Sequence, residues 1–161
     1  MPAHITIIAV GKVREKYLTQ GIEEYLKRLQ RFATVTIIET AEEQAPETLS
    51  PAEVEQVKAR EGERLRKALR EGQYVIALAI DGRQLTSEAF AAYLARRSLD
   101  GQSDLAFLIG GSHGLDPVTL ARAHYHLSFG PFTFPHQLIR LLLVEQLFRA
   151  YKIERGETYH K

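Results

Sequence analysis

Short apolar runs alternate with amphipathic segments along this chain, and that alternation limits the folds open to it. The runs, rich in β-branched residues and typical of buried strands, are His4–Val10, Val35–Thr40, Tyr74–Ile80, Leu105–Ile109 and His124–Phe129. Apolar residues at three- and four-residue spacing occupy the stretches between them. This order predicts an α/β fold, a mostly parallel sheet with helices on both faces.

Helix boundaries follow from capping residues. Ser50-Pro51-Ala52-Glu53 combines an N-cap serine, a proline at the first helical position and a glutamate that completes a capping box. Asp116-Pro117 repeats the cap-plus-proline signal, Gly72 is a helix stop, and Asp81-Gly82 is predicted to turn the chain after its strand. Helices are therefore predicted over residues 15–31, from Pro51 to about Glu71, over 87–97, from Pro117 to about Ala123, and from Gln137 to about Arg155.

Composition sets the outer limits on size and function. A length of 161 residues predicts one domain over residues 1–161, and 21 basic against 20 acidic residues argues against nonspecific coating of DNA or RNA. The absence of cysteine excludes a disulfide framework, a thiolate zinc site and a cysteine nucleophile. Because no basic leader and no long apolar run is seen, we expect a cytoplasmic protein with no membrane partner.

The loop Gly110-Gly111-Ser112-His113-Gly114 directly follows a predicted strand. Three glycines in five residues let a ligand approach the main chain closely, although a tight connection without a ligand explains them equally well. The loop also matches G-x-S-x-G, the nucleophile elbow of serine hydrolases, with Ser112 as nucleophile and Asp116 and His136 or His160 in the required order. That match is weak, because the next helix begins only at Pro117.

Histidines raise the question of a metal site. His124 and His126 would share one face of a strand, and with His136 they could form a three-histidine site. A half-exposed strand with its polar residues outward explains the same pattern, so we expect no metal.

The segment Phe129–His136 holds two prolines, a glycine and three aromatic residues, and can be neither strand nor helix. Its main-chain groups therefore need partners other than a β-ladder. A small planar ligand would meet that need, since main-chain groups could bind its edge and apolar side chains cover its faces. An aromatic loop with a purely structural role is the alternative.

The composition of the last predicted helix indicates that a second subunit covers part of it. Ten of the sixteen residues 136–151 are apolar, too many for a single stripe. A homodimer that covers the second face is the favoured interpretation, with a central position in the monomer as the alternative. Beyond the helix, Tyr159-His160-Lys161 offers a base, a phenol that can stack on a nucleobase, and a cation.

Several separated stretches together resemble the ribosomal large-subunit methyltransferase H family, whose members are small SPOUT-class enzymes. The matching stretches are Leu108-Ile109-Gly110-Gly111, Gly114-Leu115, Leu127-Ser128-Phe129, Thr133-Phe134-Pro135-His136-Gln137, Arg140, Glu145-Gln146, Arg149-Ala150 and Tyr159-His160. The opening Ile7–Lys12 and the regions of Pro46, Gly62 and Asp81-Gly82 fit as well. The resemblance thus covers essentially the whole chain.

The resemblance implies a fold and an activity. The fold would be a single SPOUT-type domain with a C-terminal trefoil knot, packed as a homodimer. The activity would be methylation of N3 of a pseudouridine in large-subunit ribosomal RNA with S-adenosylmethionine, so the partner would be the ribosome and not DNA. A ribosome-binding assembly factor without catalysis is the alternative from another class.

Site residues follow from the same resemblance. His160 is the candidate general base, and Tyr159 is a candidate stacking partner for the target nucleobase. Arg140, Arg149 and His136 are candidate contacts to the RNA. The cofactor would be held, without metal, by Leu78, Gly110, Phe129, Gly130, Pro131, Phe132, Thr133 and Phe134.

Overall fold

A computed structural model describes residues 1–161 as one five-stranded parallel sheet with helices on both faces. The fourth strand of the chain is central in the sheet, the first and third lie on either side of it, and the second and fifth are the edge strands beside the first and third respectively. This confirms the predicted fold class. The elements are β1 (His4–Val10), α1 (Lys16–Leu29), β2 (Thr34–Thr40), α2 (Pro51–Lys67), β3 (Tyr74–Gln84), α3 (Ser87–Leu99), β4 (Asp104–Ile109), α4 (Pro117–Arg122), β5 (Tyr125–Ser128) and α5 (His136–Glu154).

The central strands are apolar on both faces because each face is covered. In β1, Ile5 and Ile7 join one buried cluster while Ile8 and Val10 join a second on the opposite face, as the two-residue period of a strand requires. The first cluster packs under α1, α3 and α5, and the second under α2 and α4. Helix α5 lies between α1 and α3.

The capping signals are confirmed. Ser50 Oγ accepts from the Glu53 amide at 3.2 Å, and Glu53 Oε1 accepts from the Ser50 amide at 3.1 Å, which is the complete capping box. Asp116 Oδ1 accepts from the Thr119 amide at 3.3 Å at the start of α4. The sequence thus determined where both helices begin.

Helix α2 ends four residues before the predicted Glu71. The amides of Ala68 and Leu69 donate to carbonyls three residues back, which tightens the last turn. The Arg70 amide then donates to the side chain of Gln73 at 2.8 Å and the Gln73 amide donates to the Arg70 carbonyl, so the chain reverses through Glu71 and Gly72, whose φ is +85°.

Strand β3 corrects the predicted turn at Asp81-Gly82. It continues to Gln84, and the pairing with β5 jumps from Leu78 to Arg83, both opposite Leu127. The extra residues form a bulge rather than a turn. Gly82 is required there, because a Cβ at this position would lie 2.7 Å from the main chain of His126.

Strand β5 is shorter than the predicted His124–Phe129. At its start His124 Nδ1 accepts from the Val75 amide at 2.9 Å, and at its end Ser128 Oγ accepts from the Gly130 amide at 3.0 Å and turns the chain. The remaining helix and strand ends agree with prediction to within about two residues. No helix is long and apolar enough to cross a membrane.

Candidate functional site

The carboxyl ends of β3, β4 and β5 border a cavity of about 170 Å³, which we call the first cavity. Loops that follow parallel strands meet at this edge of a sheet, where ligands bind in such folds. Two of the loops are the glycine loop Gly110–Gly114 and the aromatic loop Phe129–Pro135. The lining residues include Leu78, Gly110, Phe129, Gly130, Phe132, Thr133, Phe134, His136 and Ile139.

The glycine loop is closed so tightly that side chains cannot replace its hydrogens. A Cβ on Gly110 would lie 2.8 Å from the main chain of Gly114, and Gly114 itself has a φ of +86°. Gly111 and Gly114 form a β-bridge within the loop. The prediction that these glycines bring main chain to a ligand cavity is supported by their position on its wall.

A buried carboxyl group supports this loop from below. Glu61, on α2, is 3% exposed, and its Oε1 would lie 2.9 Å from a Cβ on Gly111. Its Oε2 accepts from the Glu43 amide at 3.0 Å, whereas Oε1 has no partner. Burial raises the pKa of Glu61, and the carboxylate of Glu42 adds to the rise while the hydrogen bond from Glu43 opposes it.

The same face of α2 also holds the start of α4, which follows the glycine loop. Arg66 Nη1 donates to Thr119 Oγ1 at 2.7 Å and pairs with Asp116 Oδ2 at 3.2 Å. Gly62 lies so close to Asp116 and Thr119 that any side chain there would collide with them. Helix α2 therefore fixes the position of the glycine loop relative to the sheet.

The aromatic loop lines the cavity with residues whose main-chain amides are unpaired. The amides of Phe132, Thr133 and Phe134 donate to no group within the protein. Gly130, with a φ of +110°, directs the chain into this conformation, and no ladder partner is available. Orphan donors beside apolar rings form the kind of lining that binds a planar ligand with polar edges.

Two predicted site residues lie elsewhere than expected. Pro131 is exposed and does not line the cavity. His136, predicted to contact RNA, lines the first cavity at the start of α5, and burial lowers its pKa. The side chain of His136 therefore faces the predicted cofactor site.

Arg140 corrects the prediction of a phosphate contact. It is 2% exposed, its Nη1 pairs with Glu39 Oε2 at 2.6 Å, and its Nη2 donates to the Gly11 carbonyl at 3.1 Å. A guanidinium buried between two acceptors cannot reach an RNA phosphate. Arg140 instead joins α5 to the ends of β1 and β2.

The tail residues are docked rather than frayed. His160 Nε2 lies 2.6 Å from Glu88 Oε1, and His160 Nδ1 lies 3.1 Å from Arg149 Nη1. Tyr159 donates to Glu145 Oε1 at 3.1 Å, and its ring packs edge-on against Phe148 in the core. Burial, followed by the hydrogen bond with Tyr25 and the nearby Glu145, raises the pKa of Tyr159.

The tail and the first cavity are separate on one chain. Arg149 follows Ile139 by ten residues of α5, a rise of about 15 Å. All three guanidinium nitrogens of Arg149 already have a partner, Nε and Nη2 on Glu145 at 3.0 and 2.6 Å and Nη1 on His160 at 3.1 Å. The assignments of Arg149 to phosphate and of His160 and Tyr159 to the base stay predictions.

The histidines of β5 and Ser112 have local roles. His124 accepts from the Val75 amide, and His126 Nε2 lies 2.7 Å from the Leu120 carbonyl. No group of three or more His, Cys, Asp or Glu side chains is arranged to hold a metal. Ser112 is exposed, and the Asp116 of the proposed triad is committed to the α4 cap and to Arg66.

Sequence reasoning missed two residues of this region. The sequence does place Glu61 directly before a glycine on the inner face of a helix, which is an unusual position for an acidic residue. Its partner Gly111 is fifty residues away, so local sequence gives no indication of the contact. Glu88 reads as an ordinary acidic residue in a first helical turn, and only the fold brings His160 to it.

Comparison with known proteins agrees with this geometry. Residues 3–160 match the family model described as "Predicted SPOUT methyltransferase". The chain belongs to the SPOUT methyltransferases. Within them its family is that of ribosomal RNA large subunit methyltransferase H: the relatives of that name from Carboxydothermus hydrogenoformans and Listeria monocytogenes are both 54% identical, over 98% of this chain and 99% of their own.

Solved structures share the fold at low identity. A methylase family protein from Neisseria gonorrhoeae superposes with a TM-score of 0.53 at 12% identity, over 99% of this chain and 87% of its own. A methyltransferase from Legionella pneumophila in complex with the bound cofactor SAM gives 0.51 at 10% identity, over 93% and 67%. These likenesses support the fold.

Proposed function

We propose that this protein transfers a methyl group from S-adenosylmethionine to N3 of a pseudouridine in large-subunit ribosomal RNA, on assembled ribosomes in the cytoplasm. The observation that carries the proposal is the first cavity, where unpaired amides of the aromatic loop meet apolar walls at the carboxyl edge of a parallel sheet. The relatives in the family carry the name of a large-subunit ribosomal RNA methyltransferase.

The lining of the first cavity fits this cofactor. Its donors without partners, the amides of residues 132–134, suit the acceptor nitrogens of an adenine ring, and Leu78 and Phe129 suit its faces. S-adenosylmethionine supplies an electrophilic methyl group on a sulfonium. The chain's own task is to fix that methyl group in line with N3, and positioning of this kind is worth up to about 7–11 kcal/mol in favourable systems.

The tail supplies the remaining chemistry, removal of the imide proton from N3. An arginine only donates, so the contact with Arg149 leaves the Nδ1 of His160 as an acceptor and its proton on Nε2, which donates to Glu88. To act as general base, His160 exchanges the Arg149 donor for the imide N–H. The ring of Tyr159 then stacks on the target nucleobase.

Labelled methyl transfer tests this function. S-adenosylmethionine with a labelled methyl group is incubated with the protein and with ribosomes, large subunits or naked RNA lacking the modification, and the methylated nucleotide is mapped. We expect label at N3 of one pseudouridine, with ribosomes as the best substrate. Binding to ribosomes without cofactor binding would instead identify an assembly factor that has lost catalysis.

A homodimer is part of the proposal. Helix α5 buries its C-terminal half within the monomer, whereas Leu138, Ile139, Leu141 and Leu142 remain half-buried. A second subunit covers such a face. We expect light scattering to show a dimer at micromolar concentration and Leu142→Asp to give monomers. Phe148 is unsuitable as a probe because it lies in the monomer core.

The dimer also allows the tail to be assigned to a pocket. A tail-deleted subunit is mixed with a Gly110→Val subunit, each inactive alone. Recovery of activity in the heterodimer assigns the tail of one subunit to the pocket of the other, and no recovery assigns both to one chain.

A further inference from the structure

A second cavity of about 310 Å³ shares part of its wall with the first. The shared residues are Leu127, Phe129, Gly130 and Phe134. Its other walls come from the end of β3, the start of α3 and the two residues between them, from the end of β5 and from the middle of α5. They bring apolar side chains together with a few polar groups: Leu85, Phe90, Leu142, Gln84, Thr86, Ser87, Ser128 and Gln146.

The polar groups are arranged around one amide. Ser87 Oγ donates to Gln146 Oε1 at 2.7 Å, and Gln146 Nε2 donates to Glu145 Oε2 at 2.8 Å. An amide oxygen accepts two hydrogen bonds and an amide nitrogen donates two. Gln146 therefore keeps one acceptor position and one donor hydrogen free, and its orientation is fixed from both sides.

Gln146 lies on α5 between the first cavity and the tail residues Tyr159 and His160. Ile139 lines the first cavity, Leu142 and Gln146 line the second, and Arg149 holds the tail, so these residues follow one another along α5. Ser87 directly precedes Glu88, the partner of His160. The second cavity thus lies between the proposed cofactor and the proposed base.

We propose that the second cavity receives the pseudouridine and that Gln146, held by Ser87, pairs with its N1–H and C2 carbonyl. This inference rests on the proposed function. In pseudouridine the ribose is attached to C5, so N1 carries a hydrogen, whereas the N1 of uridine carries the ribose. The N1–H and C2 carbonyl form a donor–acceptor edge complementary to a carboxamide.

Pairing at that edge leaves N3 free. N3 lies on the other side of the C2 carbonyl, so a base held by Gln146 can still present N3 to the methyl group. The apolar walls, Phe129 and Leu85 among them, would cover the faces of the ring. Gln146 then acts as a specificity residue, because uridine has no N1–H for the acceptor position that Ser87 leaves free on the amide oxygen, and that position would stay unfilled in a partly buried cavity.

The test compares two ribosome preparations that both lack the methyl group, one with pseudouridine and one with uridine at the target. Methyl transfer gives kcat/KM on each, and calorimetry gives the S-adenosylmethionine Kd. We expect wild type to favour pseudouridine and Gln146→Met, which keeps the volume but removes both polar groups, to lower that preference about tenfold or more. The Kd should stay within about twofold, since binding-site truncations act on the contacts they remove.

Two variants complete the design. Ser87→Ala leaves Gln146 in place but frees its orientation, and should lower the preference less than Gln146→Met does. Gln20→Met makes the same exchange on the exposed face of α1 and should change nothing. Thermal unfolding of each variant confirms that it folds.

The outcomes separate the inference from the proposed function. A wild type that methylates neither preparation removes both. A wild type that prefers pseudouridine, with Gln146→Met showing the same preference, overturns the inference alone. So does a Gln146→Met variant that loses S-adenosylmethionine affinity, because the second cavity would then hold part of the cofactor.

Discussion

At its N-terminal end α5 contributes His136 and Ile139 to a cavity whose other walls are glycines, aromatic rings and unpaired amides. From its middle onward, Glu145 and Arg149 hold Tyr159 and His160 through charged side chains. The first region is built from main chain, so added volume should damage it most. The second is built from side chains, so lost functional groups should damage it most. A cofactor used in every turnover suits the first kind of site, and proton transfer needs the second.

The largest expected effect is in the first region. Gly110→Val should abolish S-adenosylmethionine binding, because even a Cβ at Gly110 would lie 2.8 Å from the main chain of Gly114. Calorimetry measures it directly. Ser112→Ala, an exposed change in the same loop, is the control and should leave binding and methyl transfer nearly intact. Binding unchanged in Gly110→Val would remove the glycine loop from the site.

The next effect is in the second region. His160→Ala should lower the rate of methyl transfer about 10² to 10⁴-fold if His160 is the general base. The loss should be partly relieved at higher pH, where more of the imide is already deprotonated, and cofactor affinity should not change. A pH-rate profile of the variant checks this. A rate loss that is the same at every pH would indicate a structural role for the contact with Glu88.

The smallest expected effect is on the pH dependence of stability and comes from Glu61, which lies under the glycine loop. Because burial raises the pKa of Glu61, the folded state binds its proton more tightly than the unfolded state. Wild-type stability should therefore fall as pH rises from the ordinary carboxyl pKa of 4.5 to the raised value, and stay lowered above it. Glu61→Gln should lack this fall. Arg64 and His113 oppose the shift and Glu42 adds to it.

Urea unfolding of both proteins across that range measures the difference. Glu63→Gln, two residues further along α2 and exposed, is the matched control and should follow wild type. Parallel stability profiles for Glu61→Gln and wild type would show that the pKa of Glu61 is the same in the folded and unfolded states, which would contradict the raised pKa.

Local signals predicted much of the fold. The strands follow from continuous apolar runs, and the starts of α2 and α4 follow from Ser50 and Asp116, because capping involves residues only three apart. The bulge at Asp81-Gly82 was missed, since it depends on the pairing of β3 with β5. Local sequence favours a turn there, and the sheet overrides it.

Long-range contacts account for the other errors in the site. Arg140 is buried because Gly11 and Glu39 lie at the ends of neighbouring strands, and no spacing near Arg140 encodes that. The aromatic loop was found from its composition, because two prolines and a glycine exclude a ladder wherever they fall. The trefoil knot depends on how the chain is threaded rather than on strand order, so it stays a prediction of the resemblance.

Removing Tyr159–Lys161 tests the separation of the two regions most directly. If the first cavity alone holds the cofactor and the tail supplies the base, the shortened protein should bind S-adenosylmethionine with nearly unchanged affinity by calorimetry and transfer no methyl group to ribosomes. Full methyl transfer by the shortened protein would contradict the account and would move the search for the base to His136 or to water. Loss of cofactor affinity would contradict it from the other side, because the tail would then belong to the cofactor site.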